Sequence, residues 1–154
     1  MSIQHPGGDP NANLYAQLKR DVLERVPHIT AVEYVPDDVQ AKQLQATFDP
    51  TRLDPQTGPE PPKLIIAWYR QTPHDWFRVN YTDPNTGFHA GWHQDEDQPN
   101  LGRAHFQYKT GTSEDRWGIT FKHNTPSLIL WEIIDELLRK FSRHTSPLLT
   151  ARPE

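Results

Sequence analysis

The chain has 154 residues, a net charge of −4, a mean hydropathy of −0.82 and no cysteine, which predicts one domain with a modest core. The lack of cysteine excludes disulfides, zinc–thiolate sites and a thiol nucleophile, and the acidic balance excludes nucleic-acid binding through a uniformly basic surface. Because no apolar run is long enough to span a bilayer and the amino terminus lacks a basic and apolar leader, we expect a soluble, cytoplasmic protein without membrane contact.

The amino-terminal part predicts a tail followed by a helix. Residues 1–10 contain two prolines and two glycines, a composition typical of a flexible tail. A helix is predicted to begin after a cap at Asn11 or Asn13 and to end near Val26, because leucine and valine recur there at helical spacing.

Three strands and a long loop follow. Alternation and β-branched residues predict strands at residues 29–35, 43–48 and 63–70. The last of these is the most continuously apolar, so we expect it to be central in the sheet. Five prolines between residues 49 and 62 predict an exposed loop that pairs with no strand.

The stretch Phe77–Lys109 has the clearest alternation of apolar and polar residues in the chain, and two strands are predicted within it. Turn residues between Asp83 and Phe88 make these two residues partners, and counting back from them sets the register of a hairpin. On its polar face the register pairs Thr82 with His89, Asn80 with Gly91 and Arg78 with His93. Gly91 has no side chain, so we expect a hollow there.

The remaining elements complete an α+β fold. A strand at residues 104–109, a strand ending near Phe121 and a helix beginning at Pro126 follow the hairpin. We expect a single domain over residues 11–144, with six or seven mostly antiparallel strands and both helices packed on one face. A second flexible tail is expected at residues 145–154. The face under the carboxyl-terminal helix is predicted to comprise Val79, Tyr81, Ala90, Trp92, Phe106, Tyr108, Ile119 and Phe121.

The polar face gathers residues that suit acid–base cleavage of RNA. Antiparallel pairing brings His105 near His93 and Gln107 near the hollow. A neutral histidine can take the proton of a 2′-hydroxyl, and a charged one can protonate the leaving oxygen. Arg78 would stabilise the phosphorane. We therefore predict His93, His105 and Arg78 as catalytic residues that need no metal or cofactor.

The two histidines are expected to be solvent-exposed and directly opposed, with Cβ atoms about 4.5–5.5 Å apart. Since two charged rings at that distance repel each other, the pair should titrate in two steps near pH 6–7. Replacing His93 or His105 by glutamine should then cost little stability.

Further residues are predicted to contact the substrate. His89, Asn80 and Gln107 share the polar face, whereas Tyr69 and Trp76 are candidates for base stacking. The other tryptophans follow apolar stripes and are expected in the core: Trp68, Trp92, Trp117 and Trp131. The acidic run at residues 95–97 would repel phosphate unless a cation or a partner neutralises it.

Two other functions fit the same residues. His93, Asp95 and His105 could bind a metal if their strands pair in register, whereas His89 and His93 lie about 13 Å apart on one strand, too far for one ion. Alternatively, the face binds a partner protein or nucleic acid without chemistry, and Arg78 simply pairs with Asp95.

The segments GFHAGWHQDEDQPNLGRAHFQY and TPSLILWEIIDELL carry a resemblance to known proteins. With Gly91-Trp92-His93, His105-Phe106-Gln107 and Leu130-Trp131-Glu132, residues 64–141 resemble a family of small uncharacterised haloarchaeal proteins. More distantly, the histidine-rich strand pair is similar to TumE-type toxins of toxin–antitoxin pairs. Those toxins carry a denser run of histidines, whereas here the histidines are spread over two strands.

The resemblance implies a role and a set of site residues. It places His89, His93 and His105 in the active or binding site, and it favours a toxin-like effector that targets RNA. An antitoxin or another protein partner would accompany such an effector. The expected function is therefore a toxin-like endoribonuclease, with a binding module and a metal-binding protein as alternatives.

Overall fold

The computed structural model describes residues 10–37, 39 and 41–142. Two helices and seven strands form the fold, in an order that runs from helix through sheet to helix. The helices are α1 (Pro10–Arg25) and α2 (Pro126–Ser142); the strands are β1 (Ile29–Val35), β2 (Gln43–Phe48), β3 (Lys63–Tyr69), β4 (Trp76–Asp83), β5 (Phe88–Gln94), β6 (Ala104–Thr110) and β7 (Ser113–Ile119). Apart from Pro10, the two predicted tails lie outside the described residues.

The start of α1 differs from the prediction. The helix begins at Pro10, so Asn11 and Asn13 lie within its first turn and neither caps it. Proline suits the first position of a helix because the amide it lacks would have no partner there. The same rule places Pro126 at the start of α2, as predicted.

All seven strands pair antiparallel with their sequence neighbours, in the order β1 to β7. The longest connection is the one between β2 and β3. That connection, residues 49–62, was predicted to be an exposed loop, but it contains a short 3-10 helix and a buried Leu53. Phe48 N donates to Pro62 O at 3.0 Å, so the loop returns to the point where it left the sheet.

The predicted register of the β4–β5 hairpin is confirmed at every pair. Asp83 lies opposite Phe88, and the pairing continues to Phe77 opposite Gln94. In the next pair of strands His93 lies opposite His105, as expected. A slip of one residue would have exposed the apolar side chains, which is why alternation specifies this register so strongly.

The core lies between one face of the sheet and the two helices. Trp92 and Ile134 both belong to it, and Trp92 Nε1 donates to Glu136 Oε1 on α2 at 2.7 Å. Of the predicted core face, Ile119 and Phe121 are half-buried and pack against the core, and the other six residues are buried. Trp117 and Trp131 are also only half-buried.

The helices contact each other as well as the sheet. Ser127 Oγ on α2 donates to the buried carboxylate of Asp21 on α1 at 2.7 Å. Tyr15 of α1 reaches the sheet, where its hydroxyl donates to Lys42 O and accepts from Trp68 N. The predicted α+β architecture, with both helices on one face, is therefore confirmed. Among the residues that the structure describes, no helix is long and apolar enough to cross a membrane.

The other face of the sheet, here called the open face, carries polar residues in rows that run across the strands. From one end to the other, the aromatic row is Tyr69 and Trp76; the histidine row is Ala67, Arg78, His93, His105 and Gly118; the middle row is Ile65, Asn80, Gly91, Gln107 and Arg116; and the lysine row is Lys63, Thr82, His89, Lys109 and Glu114.

Candidate functional site

The histidine row holds the two predicted catalytic histidines side by side. The ring centroids of His93 and His105 are 5.1 Å apart, and their planes meet at 81°. Direct pairing of β5 with β6 produces this contact, since opposed residues on one face are nearest neighbours. The rings line a hollow of about 300 Å³ on the open face.

The expectation that these histidines are solvent-exposed is wrong. His93 is 8% exposed and His105 is 3% exposed. The β5–β6 loop, residues 95–103, folds back over this end of the sheet and supplies Asp97 and Gln98 to the wall of the hollow. A side chain added at Gly118, next to His105 in the histidine row, would collide with the backbone oxygen of Leu101.

The predicted hollow at Gly91 is filled in part by its neighbours. A Cβ atom added there would lie against Asn80 Oδ1 and 2.8 Å from His93 Nε2. These two atoms are hydrogen-bonded to each other at 2.7 Å. Gly91 therefore gives Asn80 and His93 room to meet above the backbone, while the open space lies above them.

Burial decides the protonation state of His93. It lowers the pKa of His93 to about 4, an effect that the carboxylate of Asp95 opposes and that the neighbouring His105 reinforces. The ring is therefore neutral at neutral pH. The expected two-step titration near pH 6–7 does not hold for this residue, because the cost of charging a buried ring outweighs the attraction of one carboxylate.

Arg78 is paired with two carboxylates of the β5–β6 loop. Its Nε donates to Asp95 Oδ2 at 2.6 Å, and its Nη2 donates to Asp97 Oδ2 at 2.7 Å. Burial raises the pKa of Asp95, but the hydrogen bonds from Arg78 and from Asp97 N more than offset that effect and hold the pKa below its usual value. The predicted Arg78–Asp95 pair is confirmed, and it anchors the loop beside the histidines.

The side chain of Asp95 is fully buried and also faces His93. Its Oδ2 lies 3.6 Å from His93 Nδ1. A carboxylate behind one imidazole nitrogen orients the ring and favours a proton on that nitrogen, which leaves the other nitrogen free to exchange a proton with a substrate. This is the arrangement that a histidine base needs.

The predicted substrate-binding residues divide into two groups. Asn80, His89 and Gln107 line the hollow with the histidines. Tyr69 and Trp76 lie at the end of the sheet beside Arg78, with their ring centroids 5.1 Å apart and the guanidinium carbon of Arg78 5.0 Å from the Trp76 ring. The open face thus joins an aromatic end to the histidine row.

Arg116 was not among the predicted site residues. It lies opposite Gln107 in the middle row, where its Nε donates to Gln107 Oε1 at 3.2 Å and its Nη2 donates to Glu114 at 2.9 Å. The signal was present, since β7 alternates and Trp117 was expected in the core. Its neighbour Arg116 therefore belonged on the open face.

A metal could use three of these residues. Ligand atoms of His93, Asp95 and His105 all lie within 4.8 Å of one another. Two imidazoles and a carboxylate suit zinc or another transition metal. However, Asp95 already accepts hydrogen bonds at both oxygens, from Arg78 and from Asp97 N, so an ion would compete with these donors.

No family model, curated protein or solved structure matches the chain. The resemblance to haloarchaeal proteins and to TumE-type toxins therefore stays a prediction.

Proposed function

We propose that the protein is a toxin-like effector that cleaves RNA without a metal, using His93 and His105 as an acid–base pair. The observation that carries the proposal is the direct contact of the two rings on the floor of an open hollow, with Asp95 behind His93. Two histidines in contact can move two protons in one reaction, which is what transesterification of RNA requires.

His93 has the properties of the base. Its lowered pKa keeps the ring neutral, so it can accept the proton of a 2′-hydroxyl at Nε2. Asp95, facing Nδ1, stabilises the imidazolium that forms. A phosphate anion bound in the hollow would raise the pKa of His93 and make it a stronger base than it is in the free protein.

His105 completes the reaction as the acid. The 2′-oxygen attacks phosphorus as its proton passes to His93, and the bond from phosphorus to the 5′-oxygen breaks as that oxygen takes a proton from His105. The products are a 2′,3′-cyclic phosphate and a free 5′-hydroxyl. Arg78 and Arg116, both lining the hollow, supply positive charge near the phosphorane oxygens.

Incubating RNA with the protein in excess EDTA tests this proposal. We expect cleavage that resists the chelator and leaves cyclic phosphate ends, and we expect His93→Gln and His105→Gln to abolish it. His74→Gln is the matched control, because His74 is exposed in the β3–β4 loop, away from the open-face rows. Cleavage that EDTA stops, or that leaves 3′-hydroxyl ends, would contradict the proposal.

Metal binding is the second candidate function, and the close approach of His93, Asp95 and His105 favours it. Elemental analysis of protein purified without a histidine tag separates the candidates. Stoichiometric zinc, manganese or nickel that is lost in His93→Ala would replace the metal-free scheme. Absence of bound metal, together with cleavage in EDTA, would leave the acid–base pair as the explanation.

A further inference from the structure

A second groove lies on the open face beyond the histidines. It has a volume of about 640 Å³ and meets the histidine hollow at two shared residues, His89 and Gln107. The lysine row forms its floor, with Lys63 on β3 and Lys109 on β6 at its two sides. The hollow and the groove are therefore one continuous depression that runs along β4 and β5.

The groove has an uneven charge. Lys109 is exposed and Lys63 is half-buried, and they flank Thr82 and His89 from opposite sides. Three strand-to-strand steps separate the two lysines, about 14 Å between backbones, so their long side chains can reach the same central ligand.

Two carboxylates also line the groove, and each has a partner. Glu114, opposite Lys109, accepts from Arg116 Nη2 at 2.9 Å. Asp83 is buried in the hairpin turn, where it accepts from Asn85 N at 2.9 Å and from the Thr86 hydroxyl at 3.2 Å. With Asp83 turned to its own hairpin, the lysines provide the charge that faces the centre of the groove.

The spacing of the rows matches a nucleotide strand. His89 lies four residues from His93 on β5, which is about 13 Å along the strand. A stacked nucleic-acid strand rises about 3.4 Å per nucleotide, and an extended one roughly twice that. An extended RNA whose reacting phosphate sits at the histidines would therefore place a phosphate two nucleotides away over the lysine row.

We propose that Lys63 and Lys109 form a phosphate subsite for the same RNA strand, two nucleotides from the bond that is cleaved. This inference rests on the proposed function. The aromatic row lies at the opposite end, six residues from Thr82 along β4 or about 20 Å. It would receive a base, so that the open face binds a strand of about three nucleotides with one end on rings and the other on lysines.

Binding of 2′-O-methyl oligonucleotides tests the subsite apart from cleavage, because these strands lack the attacking hydroxyl. With single strands, each phosphate that a protein neutralises contributes about 0.7 to the slope of log affinity against log salt. We therefore expect the Lys63→Gln/Lys109→Gln double variant to lower the slope for a hexanucleotide by about 1.4. Its affinity should fall roughly 10- to 100-fold at low salt, whereas a dinucleotide, too short to reach both ends, should bind it as it binds the wild type.

Lys122→Gln is the matched control, since Lys122 is an exposed lysine that lines a different depression beside α2. It should leave both slope and affinity unchanged. The subsite is wrong if the double variant behaves like Lys122→Gln, or if the wild type does not bind the hexanucleotide. A normal lysine effect in a protein that fails to cleave unmethylated RNA would instead refute the catalytic proposal alone.

Discussion

His93 shows how far burial changes the chemistry of a single residue. Alternation correctly placed it on the face away from the helices, but its exposure depends on a loop that crosses that face. The ring therefore has a pKa of about 4 and acts as a neutral group at neutral pH. Its neighbours within the site are Asp95, His105, Arg78 and His89, and each of them affects the charged form.

The lowered pKa of His93 predicts a pH dependence of stability. Its folded pKa is about 4 and the unfolded value is near 6.5, so between these pH values the unfolded chain binds more protons. The contribution is present above pH 6.5 and is lost as the pH falls toward 4. By linkage it amounts to at most about 3 kcal/mol.

Urea unfolding at pH 7, 5.5 and 4.5 measures this effect. The free energy of unfolding should fall more steeply with decreasing pH in the wild type than in His93→Gln, which lacks the titrating ring. Comparing the two proteins removes the contribution of the carboxylates, which they share. Parallel curves for the two proteins would mean that His93 titrates at the same pH in the folded and unfolded states.

At the scale of elements, the sheet was predictable and the loop over it was not. The turn between Asp83 and Phe88 and the alternation on either side determine the register of the hairpin and bring His105 to His93. Nothing in the alternation shows where residues 95–103 go. Their position depends on ion pairs with Arg78 and on the absence of a side chain at Gly118, and both involve strands outside the loop itself.

Gly118 therefore predicts a local effect. In Gly118→Ala the new methyl group would press on the backbone of Leu101, which cannot turn aside as a side chain can. We expect the β5–β6 loop to move off the sheet, at a cost of about 1–3 kcal/mol in unfolding free energy. Hydrogen exchange should become faster in residues 96–102, and the activity that depends on His105 should decrease.

Gly111→Ala provides the comparison. Gly111 has a φ of 55°, and an added Cβ atom would meet nothing within 4 Å, so its cost comes from backbone strain alone. It should lower stability without a selective change in residues 96–102. Unchanged exchange of those residues in Gly118→Ala would show that the loop does not rest on the glycine.

At the scale of the whole molecule, the two faces of the sheet have separate roles. One face and the helices contain the core, so the open face is free to carry polar residues whose burial the core does not require. Although the net charge is −4, Lys63, Arg78, Lys109 and Arg116 all project from the open face. Composition alone could not show this local concentration, because it averages over both faces and the loops.

A toxin-like role predicts an effect on cells. Expression of the wild type should slow growth, and His93→Gln or His105→Gln at the same expression level should not, because growth inhibition depends on RNA cleavage. His74→Gln should inhibit growth like the wild type. Co-expression of the product of a neighbouring small gene should restore growth. Equal inhibition by His93→Gln would point to binding of a partner instead of cleavage.

Single-turnover cleavage of RNA by His93→Gln, His105→Gln and the double variant tests the central claim most directly, because that claim is that the two rings act as one unit. Residues that act together in one step lose most of the rate when either is removed. We expect each single variant to lose nearly all of the rate, by at least about 100-fold, and the double variant to be no slower than the slower single variant. Full activity in both single variants, or losses that multiply in the double variant, would contradict it.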